Sequence, residues 1–352
     1  MLIRGFAVDG EVFVTTEFDD GKLPVAAYPW LVADIGGTNA RFGWVAAPDA
    51  PVSHVRVLPV PAHADPAAAA QAYLTALSGE LGADYRAPRR AAFAMATAIV
   101  GDRIELTNAH WSFSRAEVQL TLNLDALLIL NDFEALALSL PRLHGAQVRA
   151  HGALPSGKGT LAVIGPGTGL GVAGVVHTSH GWVALPGEGG HATLAAVDDY
   201  EAALLARVRR RHAHVSAERL LSGIGLPELH AAVCDLAGSP LSAMLSTEHI
   251  VERGLRGDDV RASETIDAFC AFLGSFAGSV ALTLGALGGV YIGGGIVPRL
   301  GDRFFDSRFR ERFEFKGRFE RYLAQIPTAL ITDTLAALTG AALAIEQDAL
   351  RL

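Results

Sequence analysis

Two segments of the chain share one unusual build, an apolar strand that runs straight into a turn of glycine and threonine. The first is VADIGGTNAR at residues 32–41, and the second is LAVIGPGTGLGVAG at residues 161–174. After each turn the chain stays strand-like, over 42–45 and over 172–176. Because a strand flanks each turn on both sides, the pattern predicts two related halves, each with a hairpin loop directed at one shared ligand.

The rest of the chain is typical of an α/β fold. Short apolar runs alternate with alanine-rich helical stretches such as residues 66–81. The length of 352 residues favours about two domains. Residues 1–30 form an additional segment, expected to be a hairpin, ahead of the strand at 30–33. The segment at 141–160 is rich in Gly, Pro and Ser and is the expected connection between the domains.

Charge and cysteine content exclude several classes of protein. A net charge of −8 argues against binding nucleic acid through its phosphates. Residues 308–321 interleave phenylalanine with arginine, but glutamates dilute the charge and the spacing indicates an amphipathic helix. The two cysteines, Cys234 and Cys270, are too few for a disulfide framework or a four-thiolate zinc site. We therefore expect a reduced, cytoplasmic protein without a nucleic-acid partner.

One uncharged stretch is long enough to raise the question of a membrane span. It runs from Asp267 to Arg299 and exceeds the roughly 18 apolar residues typical of such a span. Its glycines interrupt any single long helix. The stretch instead predicts a buried helix up to about Leu287 and a short strand over 290–292, and no membrane partner is expected. Acidic residues near the N-terminus also argue against an export signal.

The glycine turns indicate a site for phosphate. Glycine lets backbone N–H groups approach an anion closely, and the hydroxyls of Thr38 and Thr168 add donors. A third turn, Gly293–Gly295, is made of glycine alone. Asp34 precedes the first turn and suits a Mg²⁺ ligand, directly or through water, with an Asx turn as the alternative role.

A dinucleotide site is a weaker interpretation of the second turn. The residues GLGVAG at 169–174 match the pattern G-x-G-x-x-G, and Glu188 follows nineteen residues later. That motif opens a helix in nicotinamide-binding proteins. Here β-branched residues follow, and then Gly181 and Pro186, so the context argues against a nicotinamide cofactor.

A set of polar residues provides candidates for catalysis and binding. Asp132 lies where a predicted strand ends and a helix begins, so its carboxylate is expected to be ionised and able to accept a proton from an attacking alcohol. Capping the helix is its alternative role. Glu188 and His191 have the spacing of metal ligands, but glycines between them argue against a helix, and sugar hydroxyls suit them better. By local pattern, Glu218 is only a structural helix residue.

Seven segments together resemble the bacterial glucokinases, a family in the hexokinase–actin superfamily of ATP-dependent sugar kinases. They occur in the family's order and spacing over roughly residues 31–345. They are DIGGTNARF (34–42), TNAHWSFS (107–114), LILNDFEALALS (128–139), GPGTGLGVA (165–173), LPGEGGHATLA (185–195), HVSAERLLSGIGL (214–226) and GGVYIGGGIVPR (288–299).

The resemblance implies an α/β fold of two actin-like (ribonuclease-H-like) domains with mixed sheets, flanking a cleft. The family's C-terminal helix returns to the small domain. That domain is therefore expected at 31–142 plus 332–352, the large domain at 143–331, and an N-terminal extension at 1–30. A homodimer in the cytoplasm is expected by the same resemblance, whereas a structural zinc is not, because the related repressors' cysteine motif is absent.

The resemblance also implies the reaction, transfer of the γ-phosphoryl group of MgATP to the 6-hydroxyl of D-glucose. A kinase for another hexose or an amino sugar, and a non-catalytic sugar sensor on the same fold, are the alternatives. Polyphosphate in place of ATP as the donor also stays open at this point.

Site residues carry over from the family position by position. Asp132 matches the catalytic base. The residues matching sugar ligands are Asn108, Asn131, Asp132, Glu188, His191 and Glu218. Those matching the ATP site are Ala33, Asp34, Ile35, Gly36, Gly37 and Thr38 in the first loop, Gly165, Gly167, Thr168 and Gly169 in the second, and Gly293, Gly294 and Gly295 beside the adenosine. Asp34 is the expected Mg²⁺ ligand.

Overall fold

The chain folds into two compact units. The structure is a computed structural model that describes residues 3–8, 11–16 and 28–350, apart from 108, 156–158, 180, 240 and 242. We define the small unit as Met1–Leu130 with Ala341–Leu352, and the large unit as Asn131–Gly340. The predicted domain boundaries lie instead after residue 142 and before residue 332. Residues 131–142 belong with the large unit because the helix that they begin packs on its sheet.

A five-stranded mixed sheet forms the centre of the small unit. Its order is β5-β4-β3-β6-β9, and two further two-stranded sheets are β1-β2 and β7-β8. The antiparallel pair β1-β2 confirms the hairpin predicted near the N-terminus. The strands are β1 (Ile3–Val8), β2 (Glu11–Thr16), β3 (Trp30–Ile35), β4 (Asn39–Val45), β5 (Ser53–Pro59), β6 (Arg90–Met95), β7 (Arg103–Glu105), β8 (Ser112–Ser114) and β9 (Ala126–Asn131).

Three α-helices accompany this sheet, and one of them shows how local sequence sets a boundary. They are α1 (Pro66–Leu81), α2 (Arg115–Thr121) and most of the C-terminal helix α12 (Ala336–Ala349). Asp65 caps α1 by accepting a hydrogen bond from the Ala68 amide at 2.7 Å, and Pro66 occupies the first helical position. The core between α1 and the sheet contains Phe42 stacked on Tyr73, with ring centroids 5.5 Å apart.

The large unit is built on a six-stranded mixed sheet of order β10-β15-β14-β11-β12-β13. Its strands are β10 (Val148–His151), β11 (Leu161–Pro166), β12 (Leu170–Thr178), β13 (Gly181–Gly187), β14 (Gly289–Ile292) and β15 (Thr328–Ile331). Its helices are α3 (Asp132–Ser139), α4 (Asp199–Val208), α5 (Leu226–Leu236), α6 (Thr247–Arg256), α7 (Val260–Leu284), α8 (Val297–Leu300), α9 (Asp302–Phe305), α10 (Phe309–Glu314) and α11 (Glu320–Ala324). Short 3₁₀ turns occur in both units. They are Val60–Ala62 and Gly82–Asp84 in the small unit, and Leu140–Arg142, Gly145–Gln147, Gly189–His191 and Gly317–Phe319 in the large unit.

The two sheets repeat one topology. In each, three successive strands pair antiparallel, β3-β4-β5 in the small unit and β11-β12-β13 in the large unit. The first of the three then pairs in parallel with a later strand, β6 or β14. The predicted α/β fold with mixed sheets is confirmed, and the duplication expected from the two glycine turns is present in the strand order.

The segment at 141–160 is not the connection that we predicted. Its β10 pairs antiparallel with β15, from Val148 opposite Ile331 to His151 opposite Thr328, and so forms the edge of the large sheet. Gly, Pro and Ser mark turns beside a short edge strand as readily as they mark a linker. A strand of four residues is too short for alternation of apolar and polar residues to distinguish it from a linker.

The long uncharged stretch forms the predicted buried helix and strand. Asp259 caps α7 by accepting from the Ala262 amide at 3.0 Å, and the helix ends at Gly285, whose φ of +61° is left-handed. Although α7 is long and apolar enough to cross a membrane by those measures alone, most of it is buried within the large unit. The strand β14 follows where the sequence predicts it.

Phenylalanines of the 308–321 segment also show the amphipathic pattern. Phe309 and Phe313 on α10 are fully buried, whereas Phe315 and Phe319 beyond it are 54% and 42% exposed. The helical interpretation is confirmed for the first half of this segment.

Alanine substitution at two helical glycines is expected to change the free energy of unfolding in opposite directions. In Gly340→Ala the new Cβ would lie 1.7 Å from the Ala135 carbonyl oxygen, so we expect the free energy of unfolding to fall by about 1–3 kcal/mol. In the control Gly79→Ala the new Cβ meets no atom within 4 Å, and the free energy should rise by about 0.5–1 kcal/mol. Urea unfolding followed by tryptophan fluorescence measures both, and equal effects would contradict the close approach of Gly340 to the Ala135 carbonyl within the large unit.

Candidate active site

Asn131 and Asp132 divide two roles at the start of α3. Oδ1 of Asn131 accepts from the amides of Phe133 (2.9 Å) and Glu134 (3.4 Å), and Glu134 Oε2 accepts from the Asn131 amide at 3.4 Å. This is a complete capping box. The cap is therefore Asn131, and Asp132 begins the helix with its half-buried carboxylate at the positive end of the helix dipole. Oδ1 of Asp132 also accepts from the Phe133 amide at 2.9 Å.

Phe133 joins the start of α3 to the second glycine loop. A Cβ built on Gly165 would lie 2.3 Å from Phe133 Cζ, and one on Gly171 would lie 2.1 Å from its Cδ2. Gly165 and Gly171 are direct partners in the β11–β12 ladder. The ring therefore lies on bare backbone of both strands, and Asp132 is held beside the loop that connects them.

Hydrogen bonds from distant segments hold the second loop in shape. The Gly167 amide donates to the Gly169 carbonyl at 2.9 Å, and the Gly167 carbonyl accepts from the Gly223 amide at 2.7 Å. Thr247 Oγ1 in turn donates to the Gly223 carbonyl at 2.5 Å. The loop is thus tied to the N-terminus of α6, a contact that the local sequence of the loop does not predict.

Glu188, His191 and Glu218 come from two segments that are paired along their backbones. The Glu218 amide donates to the Gly190 carbonyl at 2.9 Å. His191 Nδ1 lies 3.9 Å from Glu218 Oε1. Glu188 directly precedes the 3₁₀ turn Gly189–His191, which His191 ends, and both residues are exposed. The glycines between them argue against an α-helix, and the structure has only this short turn here. The three side chains together offer acceptors and a donor suited to hydroxyl groups.

Glu218 also contacts the second loop. Its Oε2 accepts from the Leu170 amide at 2.8 Å, and a Cβ on Gly169 would lie 2.5 Å from this oxygen. The Glu218 carboxylate therefore lies close to His191 with one oxygen and accepts a hydrogen bond from the second glycine loop with the other. The local pattern, which indicates only a structural helix residue, contains no signal of this, because both contacts are with segments far away in sequence.

The third glycine turn packs directly on the second. The Gly293 amide donates to the Ile164 carbonyl at 2.8 Å, and the Ile296 amide donates to the Pro166 carbonyl at 3.2 Å. Gly294 has a φ of +75°, and a Cβ there would lie 2.3 Å from the Pro166 oxygen. Only glycine fits this turn without displacing the second loop.

A cavity of about 580 Å³ opens beside these two turns. This volume is ample for a nucleoside. Beyond Gly167, Thr168 and Gly295, which the sequence singles out, its lining includes residues that sequence reasoning missed. They are Gly223, Pro227, Ser246, Thr247, Glu248, Ile296 and Arg299. The Ser246–Glu248 stretch is recognisable in sequence only as the start of a helix, so nothing local points to a cavity.

The first glycine loop lies in the small unit, at the turn between β3 and β4. The Gly36 amide donates to the Asn39 carbonyl at 2.9 Å, and the Val60 amide donates to the Thr38 carbonyl at 2.9 Å. Ala33 and Ile35 are fully buried, so only their backbone is available to a ligand.

Asp34 is paired with Arg41 across the β3–β4 ladder. Arg41 Nη1 donates to Asp34 Oδ2 at 2.9 Å, and the carboxylate is about one quarter exposed, at 26%. Burial raises the pKa of Asp34 above its ordinary value, and the Arg41 charge and hydrogen bond oppose that shift. Asn108, the remaining sugar-ligand candidate, lies outside the described residues.

Comparison with known proteins identifies the family of this chain. A sequence profile described as Glucokinase matches residues 31–348. The chain belongs to the glucokinase family. A glucokinase of Aromatoleum aromaticum is 50% identical over 320 residues, which cover 91% of this chain and 95% of that protein.

Solved structures agree with the glucokinase assignment. The crystal structure of a glucokinase from an Antarctic psychrotroph has a TM-score of 0.83 at 37% identity, covering 90% of this chain and 98% of that one. A glucokinase of Balamuthia mandrillaris, solved in complex with glucose, has a TM-score of 0.70 at 20% identity, covering 91% and 93%, and shares the fold. The expected actin-like fold and family are confirmed. The roles of individual site residues stay predictions.

The contact between Phe133 and its two glycines can be measured as a coupling energy. Gly171→Ala forces a methyl group against the ring, so it should destabilise the protein, and Phe133→Ala removes the obstacle. We expect the double variant to lose less free energy of unfolding than the two single variants summed, by about 1 kcal/mol or more. The control pair Gly79→Ala with Phe133→Ala should add to within about 0.5 kcal/mol. Additivity in the first pair would show that the ring does not lie on Gly171.

Proposed function

We propose that this chain transfers the γ-phosphoryl group of ATP to the 6-hydroxyl of D-glucose, giving glucose 6-phosphate and ADP. Its membership of the glucokinase family supports this reaction. The structural observation that carries the proposal is the position of Asp132, which Phe133 holds beside the second glycine loop. A carboxylate and a glycine loop in the same compact unit are parts that a sugar kinase requires.

Asp132 is assigned as the general base. Its carboxylate accepts the proton of the 6-hydroxyl as that oxygen forms a bond to the γ-phosphorus and the bond to the β–γ bridging oxygen breaks. Because Asn131 supplies the helix cap, proton transfer to Asp132 does not remove the cap. The helix dipole favours the ionised carboxylate, which is the form that a base needs.

The sugar hydroxyls are assigned to Asn131, Glu188, His191 and Glu218, together with Asn108. Carboxylates accept hydrogen bonds from hydroxyl groups, and a neutral imidazole donates or accepts one. Capping uses Oδ1 of Asn131, so we assign its amide NH₂ group to the sugar. Glu218 has the additional task of holding the loop at Leu170.

The nucleoside is assigned to the cavity beside Gly295, with the second loop, Gly165–Gly169, close to the phosphates. In the small unit, the Gly36–Thr38 turn is assigned to phosphate oxygens through its backbone amides and the Thr38 hydroxyl. The fit of a nucleoside to the cavity rests on its volume and on the two glycine turns that border it.

Asp34 is the candidate ligand for Mg²⁺. No cluster of three or more His, Cys, Asp or Glu side chains that suits a metal occurs among the residues that the structure describes. A single carboxylate nevertheless fits, because Mg²⁺ keeps several waters and is held largely by substrate phosphates. Bound Mg²⁺ neutralises phosphate charge, while Arg41 orients the Asp34 carboxylate. Homodimerisation and a cytoplasmic location stay predictions.

Replacing the base tests the mechanism directly. We expect Asp132→Asn to lower kcat by about 10²- to 10⁴-fold while calorimetry shows nearly unchanged glucose affinity, because the amide is isosteric but cannot take the proton. Asp199→Asn is the matched control, since Asp199 also begins a helix behind a capping residue but is exposed outside the site. Near-normal turnover in Asp132→Asn would show that Asp132 is not the general base.

The assay follows ADP release with glucose, mannose, fructose, galactose and N-acetylglucosamine offered separately. Turnover with glucose above the others supports the proposal. Preference for another sugar would keep the mechanism and change the substrate. Glucose binding without turnover on any sugar would overturn the kinase assignment in favour of a sensor.

Gly295 provides a separate test of the nucleotide site. A Cβ at Gly295 meets no atom within 4 Å, and the residue lines the cavity, so Gly295→Val should fill part of the cavity without disturbing the fold. We expect the KM for ATP to rise about ten-fold or more while the KM for glucose changes little. An unchanged KM for ATP would show that the nucleoside binds elsewhere.

A further inference from the structure

A second cavity of the large unit lies behind the segment that carries Glu188 and His191. It has a volume of about 350 Å³ and separates this segment from α7. Most of its wall is apolar, with Leu185, Leu194, Phe276, Val280 and Leu284 among the lining residues. None of the residues assigned to glucose or ATP lines it.

A lysine occupies one end of this apolar cavity. Lys316 Nζ donates to the Ser275 carbonyl at 2.8 Å and to Ser279 Oγ at 3.0 Å, which are neutral acceptors. An ammonium group has three donors, and no carboxylate oxygen of the described residues lies within 4.0 Å of it. Burial lowers the pKa of Lys316, and the more distant Glu201 opposes the shift. The ammonium therefore lacks a close negative partner.

Ser275 adds a second polar group at the same end. Its side chain is 5% exposed and lines the cavity, and in the part of the chain that the structure describes its Oγ has no hydrogen-bond partner. A buried hydroxyl without a partner is costly, but this Oγ has almost no accessible surface, so Lys316 is the polar group at this end that a ligand can contact.

The position of Lys316 depends on a specific packing arrangement rather than on a flexible surface side chain. A Cβ on Gly278 of α7 would lie 2.9 Å from Lys316 Cε and 2.4 Å from the Phe313 carbonyl oxygen. The lysine stem therefore crosses α7 at a point where only glycine leaves room. This gap admits the ammonium group into the cavity.

We propose that this cavity binds a small organic monocarboxylate with a hydrocarbon chain. The carboxylate pairs with Lys316, while the chain lies against the apolar wall. A charge-assisted hydrogen bond in a mostly apolar surrounding is strong, and the volume of the cavity suits a ligand of this size. An organic cation of the same length is excluded by the ammonium charge.

The far wall of the cavity makes the site relevant to sugar binding. Pro186, Gly187, Gly189 and Ala192 line it, and these residues are the backbone that carries Glu188 and His191. A ligand in this cavity therefore contacts the backbone of the segment that carries Glu188 and His191. Because coupling between two binding sites is reciprocal, saturating glucose should change the affinity for the carboxylate.

Calorimetry with octanoate, octylamine and octanol on the full chain tests the site. Octanoate should bind, octylamine should not, and octanol should bind more weakly. Lys316→Met keeps the stem and removes the charge, so octanoate affinity should fall about ten-fold or more. Arg321→Met removes an exposed cation that lines no described cavity and should leave the affinity unchanged.

A second variant guards against a folding defect in Lys316→Met. Thr283 is exposed at the cavity wall, so Thr283→Trp should block entry while Lys316 stays in place, and it too should abolish octanoate binding. Absence of octanoate binding to the unmodified chain would overturn the proposal, and so would an octanoate affinity in Lys316→Met or Thr283→Trp equal to that of the unmodified chain. Equal affinity with and without glucose would overturn the link to the sugar segment.

Discussion

The contact of one aromatic ring with two glycines underlies the geometry of the candidate active site. Phe133 lies on the backbone of Gly165 and Gly171 at the same level of the β11–β12 ladder. A methyl group on either strand would overlap the ring, so the contact requires glycine on both. Since Phe133 directly follows Asp132, the same contact places a carboxylate beside the loop that connects the two strands. Catalysis by positioning depends on such rigid placement.

Glu218 makes the second connection on which the site depends. One of its oxygens accepts from the Leu170 amide, and the other lies near His191. The group assigned to sugar recognition and the loop assigned to phosphate therefore share a carboxylate. Groups joined in one hydrogen-bond network respond together when one member changes. This arrangement offers a physical route by which sugar binding affects the conformation of the loop.

The segment with Glu188 and His191 makes two kinds of contact, one with the Glu218 segment and one with the apolar cavity. Its backbone at Gly190 and Ala192 pairs with the Glu218 segment, whereas Gly189 and Ala192 also line the apolar cavity that Lys316 enters. A Cβ on Gly189 would lie 2.9 Å from Val172 Cβ, and one on Gly190 would lie 2.0 Å from the Leu170 carbonyl oxygen, so glycine lets this segment pack closely on β12. This segment therefore lies between the proposed sugar site and the proposed carboxylate site, and a shift of its backbone would be felt at both.

Local features of the sequence determined much of the fold. Apolar runs became β3 and β11, glycine turns became hairpins, and the uncharged stretch became a buried helix and a strand. The cap of α3 was predicted only in part, because the sequence offered Asp132 as the capping residue and the structure has Asn131 in that role. All of these depend on residues within about four positions of each other. The family resemblance added the site residues, including Glu218, that local patterns do not distinguish.

Tertiary structure alone decided which distant segments meet. Glu218 reaches Leu170 and His191 only because its backbone pairs with a segment almost thirty residues earlier, and β10 becomes a strand only beside β15. The cavity beside α7 and the position of Lys316 arise in the same way, because α7 and α10 pack closely at Gly278. Short-range periodicity and capping contain no information on such contacts, because their geometry is set by the packing of whole elements.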